Sequence, residues 1–329
     1  MMAKEDKGWE IIMTDLLSIV VPCFNEEKNI EAFYNEVMTI KKELNPIRLE
    51  FLFINDGSSD KTLSIIKNLS NKDSEQVKYL SFSRNFGKEA ALYAGLSHAS
   101  GDYITVMDVD LQDPPSLLPK MYDLIQSTDY DCIGTRRITR SGEPKIRSFF
   151  AKKFYKIINK ISDVNIVDGA RDFRLMTRQM VDAILELKEY NRFSKGLFSW
   201  VGFETYYLEY ENIERQKGET SWSFWQLFVY SLDGIVAFSE FPLVISAFVG
   251  MASFIISIIA LIFFFIRAAI FGDPTTGWPS LVCIILALGG LQLFCLGIVG
   301  QYLGKTFLET KKRPLYILKD KSDSLKTSK

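Results

Sequence analysis

The chain has 329 residues, 39 basic against 40 acidic, for a net charge of −1, and 47 % of it is hydrophobic. That balance excludes nucleic-acid binding by bulk electrostatics, while the length allows a sizeable core and two structural units. One histidine, His98, and four cysteines (Cys23, Cys132, Cys283, Cys295) with no metal-ligand spacing argue against a His-rich metal centre or a Ser-His-Asp triad. The cysteines read as reduced small hydrophobes and His98 as a structural histidine.

In chain order, Met1–Asp15 is polar, lacks the apolar core of a secretory leader, and reads as an N-terminal extension over 1–15. Two textures then alternate. Leu17–Pro22, Leu49–Ile54, Val77–Phe82 and Tyr103–Asp108 read as buried strands, and Glu26–Leu44, Lys61–Leu69 and Lys88–Ser100 as helices. This alternation predicts an α/β domain whose mostly parallel central sheet carries helices on both faces. In such sheets ligands bind beyond the C-terminal strand ends. The polar clusters fall there: Asn25-Glu26-Glu27, Asn55-Asp56-Gly57-Ser58-Ser59-Asp60, Ser83-Arg84-Asn85 and Asp108-Val109-Asp110.

Asp108 and Asp110 flank one residue, and strand alternation points both side chains the same way. Two such carboxylates repel unless a cation lies between them. A divalent metal holding a nucleotide diphosphate supplies one, and oxygen-only ligands favour Mg2+ or Mn2+ over zinc. Asp56 is placed to accept hydrogen bonds from a base or ribose. No G-x-G-x-x-G follows the first strand and no G-x-x-x-x-G-K-[ST] occurs, against the usual dinucleotide and P-loop modes.

Further on, the aromatic run Trp222–Tyr230 suits a helix lying in a membrane interface over 221–240. No charge falls between Glu240 and Arg267, nor between Asp273 and Lys305. Both stretches exceed the ~20 residues a bilayer crossing needs. We expect transmembrane helices over 241–267 and 278–304, with a short extracytoplasmic loop over 268–277. Lys305, Lys311, Lys312 and Arg313 follow the second crossing, so the positive-inside rule places the 305–329 tail and the N-terminal domain in the cytoplasm. The last stretch, Lys319–Lys329, is polar and expected to be disordered. The Lys311–Tyr316 segment before it is suited to packing on a neighbouring subunit or binding anionic headgroups.

The motifs Val21-Pro22-Cys23-Phe24-Asn25-Glu26-Glu27, Asn55–Asp60 and Asp108-Val109-Asp110-Leu111-Gln112-Asp113-Pro114-Pro115 resemble those of family 2 glycosyltransferases with the GT-A (Rossmann-like) fold. Asp172-Phe173-Arg174-Leu175-Met176 and the two late apolar segments narrow the resemblance to the polyprenyl-phosphate glycosyltransferases. These include the bactoprenol glucosyltransferases and the soluble part of dolichol-phosphate mannose synthases. The likeness spans about residues 16 to 318, with the GT-A domain over 16–220.

The resemblance implies attack of a lipid phosphate oxygen on the anomeric carbon of a nucleotide sugar, with inversion. UDP-glucose and UDP-N-acetylglucosamine are both reasonable donors and a GDP-sugar stays open. The product is a lipid-linked sugar for the cell envelope. It also implies a homo-oligomer. Pro22, Asn25, Glu27, Asp56, Asp108 and Asp110 would bind the nucleotide sugar, Asp108 and Asp110 through the metal. Asp172 stands at the family's catalytic-base position. A phosphate monoester has a second pKa near 6, so the acceptor arrives mostly ionised. Asp172 then either acts as base or orients the acceptor, and an ion pair with Arg171 or Arg174 is its plain structural reading.

For the acceptor phosphate, Arg215–Trp222 is similar to the family's R-x-x-G-x-S-K-[YW] element, with Ser221 where the Lys is expected. Arg215 remains a bidentate phosphate ligand and Lys217 substitutes for the missing lysine. Arg136 and Arg147 are further candidates and Arg192 a weaker one. Gln112 and Trp200 would line the sugar or acceptor path, though Trp200 suits the core equally. Rival readings are a processive polysaccharide synthase, whose Q-x-x-R-W is absent, and a non-catalytic membrane scaffold.

Overall fold

The structure is a computed structural model that describes residues 14–138, 158–162, 164, 166–211, 234–271 and 277–325. Strands β1 (Leu16–Cys23), β2 (Arg48–Asn55), β3 (Val77–Phe82) and β4 (Tyr103–Val106) alternate with helices α1 (Ile30–Ile40), α2 (Thr62–Lys72) and α3 (Lys88–His98). Helix α4 (Leu118–Ser127), strands β5 (Cys132–Arg137) and β6 (Ala170–Thr177), helices α5 (Arg178–Glu186) and α6 (Ser194–Trp200) and strand β7 (Thr205–Tyr210) complete the domain.

One sheet runs in the order β7-β5-β6-β4-β1-β2-β3-β8, where β8 is Leu318–Lys321. The β1–β2, β1–β4, β2–β3 and β5–β7 pairs are parallel, and β6 and β8 run against their neighbours. The near-continuous apolar runs of β1 and β2 follow from burial on both faces. Leu17, Ile19 and Val21 pack with Phe33 and Val37 of α1 and Met121 of α4, whereas Val20 faces Ala91 and Ala94 of α3 and Met180 of α5.

At the N-terminal strand ends a polar knot ties the sheet together. Glu50, 2 % exposed, accepts hydrogen bonds from the Ser18 hydroxyl, from the Ser100 N–H at 3.0 Å and hydroxyl at 2.6 Å, and from the Lys78 ammonium at 2.5 Å. Burial raises its pKa, but Lys78, Ser100 and Ser18 together outweigh burial and bring it below the ordinary carboxylate value. A lowered folded pKa means this stability is present at neutral pH and is lost as pH falls through that lowered value, below ~4.3. Glu50→Gln should therefore cost about 3–5 kcal/mol at pH 7, as a broken buried pair does. The melting-temperature gap to the parent should close in strong acid; a gap that persists there would reject this account.

Helices α7 (Phe241–Phe271, 31 residues) and α8 (Trp278–Thr310, 33 residues) are long and apolar enough to cross a membrane. Each helix runs past the C-terminal limit expected for its span, to Phe271 and Thr310. They are not core helices, because Phe248 is 75 % and Leu293 73 % exposed. Outward-facing apolar side chains on two helices of spanning length suit an apolar surrounding. Of the expected interfacial segment, residues 234–238 form a helical turn and 221–233 lie outside the described residues, as do 272–276 of the loop between the apolar helices.

The C-terminal tail corrects an expectation. Lys319–Lys329 is not disordered as a whole: Leu318–Lys321 forms β8 on the outer edge of β3, and Leu325 is buried. The ring of Tyr316 stacks on Phe82 with centroids 5.0 Å apart, Tyr79 donates to Asp320 at 3.2 Å, and Lys67 pairs with Asp320 at 2.6 Å. Tyr316 thus packs on its own chain. His98 is the structural histidine expected, its Nδ1 2.9 Å from the Ala94 carbonyl and its ring edge-on to Tyr316.

Candidate active site

The loops that follow β1, β2, β3 and β4 converge at the C-terminal strand ends. The first two are laced together. Asn25 Oδ1 accepts the Ser59 N–H at 2.9 Å, and the Asn25 N–H donates to Ser58 Oγ at 3.0 Å. The Glu27 carboxylate accepts the Lys61 N–H at 3.1 Å, while the Glu27 N–H donates to Asp60 at 3.2 Å. Pro22 sits in β1 opposite Ile54. Asp60 also accepts the Thr62 N–H at the start of α2, so the helix start is served without Asp56.

Asp56 is 4 % exposed and holds the third loop. One carboxylate oxygen accepts the Phe86 N–H at 2.6 Å and the other the Gly87 N–H at 3.0 Å. Burial raises its pKa and those two N–H groups oppose the rise. Gly57, at φ +66°, lets the two loops meet, since a Cβ there would lie 2.3 Å from the Arg84 carbonyl carbon. The third loop then delivers Lys88, the first residue of α3, into the site.

Strand β4 ends at Val106, so Asp108 and Asp110 stand in the turn beyond it rather than on the strand from which their common direction was argued. The side chains still alternate in burial, with Val109 3 % exposed between two partly exposed aspartates. Leu111 holds φ +56°, a left-handed conformation uncommon for a bulky residue, and the Gln112 N–H donates to Asp110 at 3.2 Å.

Strand β6 runs antiparallel to β4 and pairs Val106 with Arg174. Its first residues therefore project past the end of β4 and carry Asp172 to the Asp108 turn. Between them lies Lys88. Its ammonium is 2.8 Å and 3.0 Å from the two Asp108 oxygens and 2.7 Å from Asp172. Burial disfavours the Lys88 charge, but Asp108 and then Asp172 outweigh it and raise its pKa. Burial likewise opposes charge on Asp172, yet Lys88, Lys195 and Arg174 hold its pKa far below the ordinary carboxylate value. Asp172 is thus an ionised carboxylate paired with Lys88, rather than directly with Arg171 or Arg174.

A second ionic cluster lies beside it. Asp113, 2 % exposed, accepts from Arg171 at 3.1 Å and from the Tyr210 hydroxyl, and pairs with Arg137 at 3.4 Å. Burial and Asp113 push the Tyr210 phenol up to about 12, so it stays a donor. Gln112 accepts from Arg137 at 3.1 Å, which ties it to this cluster.

The structure separates the other candidates. Arg136 donates to the Asp168 carbonyl at 3.0 Å and faces Glu209 at 3.6 Å on the β5–β7 side. Arg192 is not open for a phosphate: it is 8 % exposed, donates to the Leu187 carbonyl and lies 4.7 Å from the Tyr93 ring centre. Trp200 is 57 % exposed at the end of α6, which removes its reading as a core residue. Arg147, Arg215 and Lys217 lie outside the described residues. Sequence reasoning missed Lys88 and gave no role to Asp113, Lys195 or Glu89. Lys88 was findable, because it closes a strand-end loop of the same kind as those bearing the aspartates.

The donor chemistry fits a hard divalent cation. Asp108 and Asp110 offer only oxygens, and the Lys88 ammonium at Asp108 shows that a cation is drawn to this place. Among the described residues no cluster of three or more metal-ligating side chains exists, so a ligand's phosphate oxygens would have to complete the shell.

A mostly parallel sheet with charged side chains gathered beyond its C-terminal strand ends defines an α/β domain of the Rossmann-like kind, in which ligands bind at that end of the sheet. The profile of glycosyl transferase family 2 matches residues 18–185. A putative glycosyltransferase, CsbB, of Bacillus subtilis is 44 % identical over 93 % of this chain and 92 % of its own length. The prophage bactoprenol glucosyl transferase homolog of Escherichia coli K12 is 44 % identical over 92 % of this chain and 98 % of its own. The bactoprenol glucosyl transferase of Shigella phage SfV is also 44 % identical, over 92 % and 98 %. Among solved structures, glucosyl-3-phosphoglycerate synthase from Mycobacterium tuberculosis is 17 % identical with a TM-score of 0.44, covering 68 % of this chain and 78 % of that one. A likeness that loose says nothing about ligands. The chain belongs to glycosyl transferase family 2 and is a glycosyltransferase with the GT-A fold.

Proposed function

We propose that the enzyme transfers a monosaccharide, with inversion, from a nucleoside-diphosphate sugar to a polyprenyl phosphate at the cytoplasmic face of the cell membrane. The observation that carries this reading is the Lys88 bridge, which brings the Asp108 turn and Asp172 together on a domain tied to two apolar helices. The ties are specific. Glu309 near the end of α8 accepts the Tyr190 and Asn191 N–H groups at 2.9 and 3.0 Å, and the Ser239 hydroxyl, just before α7, donates to the Ile161 carbonyl at 2.5 Å. A lipid phosphate is the acceptor for which such an arrangement makes sense. The bactoprenol-acting names of the relatives support it and favour glucose, hence UDP-glucose, with UDP-N-acetylglucosamine as the second donor.

Pro22, Asn25, Glu27 and Asp56 shape the nucleotide end of the site, and Asp108 and Asp110 face the diphosphate. When bound there, Mg2+ or Mn2+ neutralises the departing diphosphate as a Lewis acid. Asp172, already ionised and held in place by Lys88, orients the acceptor. Its phosphate needs little deprotonation, having a second pKa of about 6. Arg215 and Lys217, with Arg147, supply the cations for that phosphate, while Arg136 is engaged by the Asp168 carbonyl and Glu209; Trp200, exposed, and Gln112 flank its path. Lys305, Lys311, Lys312 and Arg313 after α8 support cytoplasmic placement of the domain and of the tail.

The purified full-length chain, given undecaprenyl phosphate and a panel of labelled UDP- and GDP-sugars, should yield a label extractable into organic solvent as a single sugar per lipid. UDP-glucose should be used best, and a chelator should abolish transfer. A long polymer, or no transfer with any donor, would overturn the reading.

A further inference from the structure

We propose that Lys88 is a built-in cation that occupies the place of the divalent metal in the resting enzyme, and that donor binding requires it to let go of Asp108. Three observations carry this. The ammonium makes two contacts with Asp108, at 2.8 and 3.0 Å, and a third with Asp172 at 2.7 Å, so one side chain spans the donor and acceptor halves. Its base is rigid: Asp56 fixes the Phe86 and Gly87 N–H groups just before it, and the next residue, Glu89, accepts the Ser194 N–H at 3.0 Å and the Ser194 hydroxyl. The side chain is 40 % exposed, so the ammonium and its carboxylates are open to an incoming ligand.

Charge decides the consequence. Asp108 and Asp172 together carry −2 and Lys88 returns one unit. A divalent cation arriving alone must take Asp108 from the ammonium and then sit beside it, and both steps are unfavourable. A cation arriving with a nucleoside diphosphate brings negative oxygens that give the displaced ammonium a new partner. Metal alone therefore binds weakly and metal with diphosphate binds well, and Lys88 is the positioning residue that couples the two. Released from Asp108, the ammonium stays with Asp172 and swings toward the diphosphate, so that filling the donor site also sets the acceptor carboxylate. The inference rests on the proposed reading in taking Asp108 as a metal-facing carboxylate and Asp172 as the one that faces the acceptor.

The test reads binding rather than turnover. Free Mn2+ is measured by its electron paramagnetic resonance signal in titrations of the detergent-solubilised full chain, with and without UDP. The parent should bind Mn2+ weakly alone and far more tightly with UDP. Lys88→Met should bind Mn2+ alone more tightly, on the order of tenfold for loss of one adjacent like charge, and UDP should then add little. Lys88→Gln serves as a second neutral variant should the methionine change impair folding, and Lys88→Arg, which keeps the charge, should behave as the parent does. Unchanged or weaker Mn2+ binding in the neutral variants, with UDP still enhancing it as in the parent, overturns the role of Lys88 alone. No Mn2+ binding to the parent even with UDP overturns the metal–diphosphate reading beneath it.

Discussion

Asp172→Asn should lower the turnover number by roughly 10²–10⁴-fold, the usual span for a positioned acid–base or orienting group, while the KM for the donor stays close to that of the parent. The carboxylate lies 2.7 Å from the Lys88 ammonium and is held ionised by Lys88, Lys195 and Arg174. The amide keeps its shape and removes its charge, so on the proposed reading the acceptor loses its guide while Asp56, Asp108 and Asp110 would still bind the nucleotide sugar. Steady-state kinetics with each substrate varied in turn separate the two effects. Near-normal turnover in the variant would falsify a role for Asp172 in the transfer.

Deleting residues 314–329 should have the largest effect on stability. It removes β8 from the edge of β3, the Tyr316 ring from Phe82, the buried Leu325 and the Lys67–Asp320 pair. Burying a large apolar side chain is worth about 1.5–3 kcal/mol, and an aromatic pair adds ~0.5–1.5 kcal/mol to its burial. Tyr316→Ala alone should therefore lower the melting temperature measurably, and the deletion should lower it further. The uncovered β3 edge also presents unpaired backbone groups, so the truncated chain should aggregate on gentle heating. Melting and light scattering in detergent check both, and a truncated chain as stable and monodisperse as the parent would show that the tail is only loosely seated.

Much of the domain was legible because its signals are local. Buried parallel strands read as unbroken apolar runs, and β1 to β4 with α1 to α3 came out within a few residues of where the chain places them. The acidic clusters were legible for a different reason, the rule that ligands gather beyond the carboxyl ends of parallel strands. What failed was also physical. Strand alternation predicts a common direction for Asp108 and Asp110, but β4 stops at Val106 and they stand in the turn beyond it, where Leu111 holds a positive φ. The polarity of the tail suggests disorder, but Lys319, Asp320 and Lys321 are polar because an edge strand has one face in water. Strand pairing between residues as far apart as Leu80 and Lys321 leaves no mark in local composition. Arg192, a weaker phosphate candidate by sequence, is enclosed by Leu187 and Tyr93, which no local pattern signals.

By itself the sequence determined the α/β alternation, the strand-end aspartates, the family resemblance and two apolar segments of membrane-spanning length, because periodicity, motif and segment length act over short stretches of chain. Only the tertiary structure decided that Asp56 builds the loop that carries Lys88, that Lys88 joins Asp108 to Asp172, and that the tail closes the edge of the sheet. Each of those depends on distant parts of the chain meeting in space, and a carboxylate has no partner until the fold brings a cation to within 3 Å of it.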